Sequence, residues 1–148
     1  MQSYIFDFRK SPTFLKKWNK EFDVEDFDNS TFYIVLVNDV CADNVSECID
    51  NNGQLVYSGS NIISNSCELE YVINGNTESI ALKEDCTFTF DDTTYPAHFN
   101  MKGAFLVNED NYVLGYSINQ YSLYITTQMI FEAGLIFYSI VESVLDGE

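Results

Sequence analysis

Paired carboxylates are the residues of this 148-residue chain with the most evident capacity for chemistry. Asp91-Asp92, Glu109-Asp110 and Glu84-Asp85 each set two acids side by side. Two carboxyls flanking a cleft can act as general acid and as base or nucleophile in glycoside hydrolysis. Each pair falls at a predicted strand end, where Asp is favoured because its side chain bonds nearby backbone N–H groups. With 23 acidic residues in the chain, adjacent pairs also arise by chance. The solvated-turn reading is therefore preferred to the hydrolase.

Other chemistries lack a member. A Ser or Cys nucleophile needs a base, and the single histidine, His98, sits beside Phe99 as a packed or edge side chain would. Asp50-Asn51-Asn52-Gly53 opens like a calcium loop, but Ser60 and Asn61 stand where the bidentate acid is required, so it reads as a polar turn. No glycine-rich phosphate cradle is present. The cysteines (Cys41, Cys48, Cys67, Cys86) form no C-x-x-C pair, so a zinc site has no ligand set. They are expected as free buried thiols, with a bond between Cys41 and Cys48 as the alternative. Tyr112, Tyr116, Tyr121 and Tyr124 could stack on sugar faces, although aromatics at strand spacing more often fill a core. The expectation is a protein without catalytic residues, metal or cofactor.

The charges divide the chain. Residues 1–20 hold Arg9, Lys10, Lys16, Lys17 and Lys20 against Asp7, a balance of +4; residues 21–148 hold two basic and 22 acidic residues, a balance of −20. The total of −16 argues against direct nucleic-acid binding, which needs clustered cations. Between the cations of the first segment lie Phe6, Phe8, Phe14 and Trp18. Such residues are poorly suited to a free tail and well suited to anchoring on a neighbouring surface. Phe6, Phe8, Arg9, Lys10, Phe14, Lys16, Lys17 and Trp18 are the candidate partner-binding residues. No apolar run reaches the roughly 20 residues a membrane span requires, and the N-terminus lacks the order of a signal peptide. A soluble chain from a reducing compartment is expected.

These features must be positioned by strands. From residue 32 onward, short runs of β-branched and aromatic residues alternate with Asn, Asp, Gly and Ser. FYIVLV (32–37) reads as a strand covered on both faces, and CELEYVI (67–73) and TESIALK flank a hairpin turn at Asn74-Gly75. CTFTF (86–90) alternates, with Cys86, Phe88 and Phe90 on one face. HFNMKGAFLV (98–107) is expected to put Phe99, Met101, Phe105 and Val107 on one face, with Gly103 permitting a bulge or close approach. YVLGYSI (112–118), SLYITTQMI (122–130) and GLIFYSIV (134–141) complete the series. The predicted fold is all-β, a β-sandwich or jelly roll of about eight to nine strands. Residues 1–30 form an extended N-terminal arm and acidic linker, and residues 31–148 the domain.

FYIVLVN (32–38), TFTF (87–90), GAFLVN (103–108), YVLGY (112–116) and AGLIFYSIV (133–141) occur in an order and spacing that resembles the small β-sandwich virion proteins of tailed bacteriophages. The likeness spans roughly residues 31–145; Ile136, Phe137 and Tyr138 replace a more polar, Thr-rich alternation, and the basic arm has no counterpart. The resemblance implies a capsid auxiliary or decoration protein, or a head or neck protein, located in the virion after assembly in the bacterial cytoplasm. It implies phage structural proteins as partners, foremost the major capsid protein, with homo-oligomers allowed. The alternative is a tail- or fibre-associated module that binds carbohydrate or receptor.

Overall fold

A computed structural model describes residues 9–10, 31–38, 48–56, 62–75 and 77–141, with the backbone alone at 9–10, 78, 119–120 and 138–141. The described residues form ten strands and no helix. The strands are β1 (Arg9–Lys10), β2 (Phe32–Val37), β3 (Ile62–Cys67), β4 (Leu69–Asn74), β5 (Thr77–Leu82), β6 (Cys86–Thr89), β7 (Phe99–Asn108), β8 (Val113–Ile125), β9 (Gln128–Phe131) and β10 (Ile136–Val141). They make a five-stranded sheet in the order β1-β8-β7-β2-β3, a three-stranded sheet β10-β5-β4 and a pair β6-β9. Every ladder is antiparallel. The all-β expectation, consistent with a β-sandwich, holds.

The continuous apolar run of β2 is explained by its central place between β3 and β7. Phe32, Ile34 and Leu36 enter the main core, and Val35 and Val37 enter a second core on the opposite face. The main core also takes Leu69 from β4, Ile80 and Leu82 from β5, Phe88 from β6, Phe131 from β9 and Phe137 from β10, so the two smaller sheets lie over one face of the large one. The second core gathers Phe105, Val107 and Val113 beneath Cys48 and Leu55. That covering segment is tied down by Leu55 N to Asn111 O at 2.7 Å and Val113 N to Gly53 O at 2.8 Å.

Turn chemistry follows the residue types. Asn74 pairs with Thr77 across the β4–β5 hairpin, and Gly75 takes φ +63°, a conformation costly for side-chain-bearing residues. Between β7 and β8 the loop closes with Asn108 N to Tyr112 O at 3.0 Å, while Asn108 Oδ1 accepts from the amides of Asp110 and Tyr112. Asn111 supplies the left-handed residue at φ +63°, as a three-residue hairpin loop requires.

Several expectations are corrected. Phe99 and Met101 lie in the main core but Phe105 and Val107 in the second, so they do not share a face. The ladder between β7 and β8 slips between Met101 and Gly103, and alternation inverts there. Gly103 permits this slip: a Cβ on it would stand 2.7 Å from the Ser117 carbonyl oxygen. Residues 113–125 form one strand rather than two separated at 119–121. The polar run Ile62–Cys67 is a strand, β3, to which the sequence reading assigns no element before Cys67. Cysteine usage also differs: Cys67 and Cys86 are free and buried, but Cys48, buried in the second core, is disulfide-bonded.

Candidate functional site

Three of the acids that opened the sequence reading, Asp91, Asp85 and Glu109, accept from backbone amides. Asp91 Oδ1 accepts from both the amide and the hydroxyl of Thr93, and these bonds hold its carboxyl below the usual range. Asp92 beside it has φ +67°. Asp85 Oδ1 accepts from Ala133 N at 2.8 Å, and Glu109 Oε1 from Thr31 N at 3.0 Å. Asp50 Oδ1 accepts from the amides of Asn52 and Gln54, within its own loop. Asp91 and Asp50 bond the backbone of their own loops, and Asp85 and Glu109 tie theirs to distant segments; all four are exposed or half-buried.

The four tyrosines separate. Tyr112 is buried in the main core, and Tyr116 is half-buried with its ring 6.2 Å from that of Phe105. Neither offers a free face for sugar stacking. Tyr121 and Tyr124 are 75% and 55% exposed. His98 is exposed, not packed, and its ring lies 5.3 Å from that of Tyr124 at 39°.

The two edges of the five-stranded sheet carry the features relevant to assembly, because an edge presents unpaired N–H and C=O groups to any extended chain. At one edge, β3 bonds to β2 alone within the ladder. Two of its carbonyls are capped by side chains: Ser64 O accepts from the Tyr95 hydroxyl at 2.7 Å and Ser66 O from Cys86 Sγ at 3.6 Å. Between them Asn65 Nδ2 donates to Thr87 O at 2.8 Å. Tyr95 is steadied by the rings of Phe88 at 5.3 Å and Phe90 at 6.3 Å. Burial, and secondarily the neighbouring Cys86, raises the Tyr95 phenol above its ordinary value, which keeps the hydroxyl protonated and donating.

At the other edge lies β1. Arg9 pairs with Tyr116 and Lys10 with Gly115, so these two residues of the basic segment form an antiparallel strand on β8. This contact covers two of the thirteen residues of β8. Arg9 and Lys10 are the only candidate partner-binding residues within the described portion; Phe6, Phe8, Phe14, Lys16, Lys17 and Trp18 lie outside the described residues.

Sequence reasoning missed Gly115 and Tyr116 as the seat of the arm, and Tyr95, Asn65 and Thr87 as the closure of the other edge. Gly115 is the one signal available beforehand: a glycine inside an apolar strand marks close approach of another backbone. Comparison with protein-family models, with curated proteins and with solved structures finds no match to this chain.

Proposed function

We propose that this protein is a non-enzymatic structural component of a phage virion, an auxiliary or decoration protein that binds capsid, head or neck subunits through its N-terminal arm and β-domain. The observation that carries the reading is the seating of Arg9–Lys10 as a strand on the β8 edge. That edge takes up extended chain by main-chain pairing, the mode in which sheet edges recruit segments of other proteins. The charge division supports it: an arm of +4 attached to a body of −20 is attracted to acidic surfaces, its own or a neighbour's. The aromatic residues of the arm supply anchors for a partner pocket. The phage assignment itself rests on the ordered sequence motifs over residues 31–145.

Co-sedimentation with assembled capsid shells tests this. The full chain pellets with the shells, and the chain lacking residues 1–20 stays in the supernatant, with binding weakened by added salt. Equal pelleting of both chains contradicts the arm reading.

A second reading has one observation of its own. Exposed Tyr121 and Tyr124, with the His98 ring against the latter, offer planar faces to a sugar. As a carbohydrate- or receptor-binding module of a tail or fibre, the protein would bind host glycans saturably and lose that binding in the Tyr121→Ala, Tyr124→Ala double variant. Unchanged binding in that variant eliminates this surface.

A further inference from the structure

Two thiols of the main core stand apart from the edge-based reading. Cys67 ends β3 and Cys86 opens β6, on different sheets, and both are buried and free. The 3.6 Å contact of Cys86 Sγ falls on the Ser66 carbonyl oxygen, part of the peptide unit that supplies the Cys67 nitrogen. The Cys86 sulfur therefore lies against the backbone of Cys67. Both side chains belong to one packed cluster. They are also near enough for charge on Cys86 to disfavour ionisation of Cys67, an effect second to that of burial. Burial pushes the Cys86 thiol up to about 11 and Cys67 further still, so neither is poised as a nucleophile or a metal thiolate. What the arrangement offers is a pair.

The state of Cys48 gives the pair its meaning. A disulfide at Cys48 persists where the surroundings are oxidising, and virion surfaces are among such places. The same surroundings act on any other thiols within reach of each other. We propose that Cys67 and Cys86 constitute a second disulfide site, closed when the chain is oxidised, which covalently joins the edge strand β3 to β6. With glutathione disulfide as oxidant, one cysteine thiolate attacks a glutathione sulfur and releases one glutathione; the other cysteine then displaces the second. Two electrons and two protons pass from the cysteines to the oxidant, leaving one Sγ–Sγ bond and two glutathione thiols. Because burial holds both thiols protonated, the bond forms slowly in the folded chain and faster as pH rises or as the β3–β6 contact opens.

The test incubates the purified full chain with glutathione disulfide, then denatures it, alkylates remaining thiols and records intact mass and a peptide map. The expected result is a chain lighter by two hydrogens than before treatment, unalkylated at Cys67 and Cys86, with a linked peptide containing both. Its Tm should stand several degrees above that of the untreated chain, and the Cys67→Ser variant should show no such rise. Recovery of Cys67 and Cys86 as alkylated thiols, or as separate glutathione adducts, overturns the proposal. So does a linked peptide that appears only when oxidant is added to unfolded chain.

Discussion

At the β3 edge of the large sheet side chains of the sandwich bond the edge carbonyls, whereas at the other edge β8 is paired by the two-residue strand β1. Ser64 and Ser66 present carbonyls to side chains of the same body, and Asn65 reaches across to Thr87. Of these groups, Tyr95 rests against the rings of Phe88 and Phe90. Among the described residues, β8 receives Arg9–Lys10 from the basic segment. One edge thus has two of its carbonyls capped by side chains of the sandwich, and the other ends in a two-residue strand.

The largest expected effect comes from removing a ring against which Tyr95 rests. Phe88→Ala should cost about 3 to 5 kcal/mol, because Phe88 is fully buried between Tyr95 and Phe131. Guanidinium denaturation gives the loss. Phe105→Ala, in the second core, should cost a comparable amount yet leave hydrogen exchange in β3 slower than Phe88→Ala does, at matched stability. Identical exchange in the two variants would mean that the Tyr95 hook does not depend on its aromatic shelf.

Gly103→Ala comes next, at roughly 1 to 3 kcal/mol, since the added Cβ meets the Ser117 carbonyl and must displace β8. The same denaturation experiment reads it, and a neutral outcome would show that β7 and β8 can separate there without strain. Tyr95→Phe removes one hydrogen bond to Ser64 O, worth about 1 kcal/mol, and should speed amide exchange along β3 while leaving β8 unaffected. Deleting residues 1–20 should have the smallest effect on folding, within about 0.5 kcal/mol, because the described pairing of that segment involves two residues. A loss of several kcal/mol on deletion would make the arm a structural strand of the domain.

How much of this was legible in the sequence depends on the physics each feature uses. FYIVLV, CTFTF and Asn74-Gly75 were readable because apolar alternation and positive-φ turns are local properties. β3 was not, since Ser64, Asn65 and Ser66 look like turn residues until their partners across the sandwich are known. The face inversion in β7 depends on a slip of register against β8, which alternation along one strand cannot reveal. For the site, the division of charge was visible at once, and the place where the arm docks was not. Main-chain pairing at Gly115 and Tyr116 leaves almost no mark in side-chain type. The tyrosines behaved in the same way: Tyr112 and Tyr124 look alike in sequence, and only packing separates a core residue from an exposed one.

The proposal that the β1 side of the large sheet is the assembling edge is tested most directly by a cryo-electron microscopy map of the protein bound to an assembled capsid. The account predicts β1 and the part of β8 beyond its pairing with Arg9–Lys10 at the contact with a neighbouring subunit, with residues 1–20 continuing onto that neighbour and the β3 edge facing solvent. A map with the β3 edge or the Tyr121 and Tyr124 surface at the contact, and the β1 side in solvent, would contradict it.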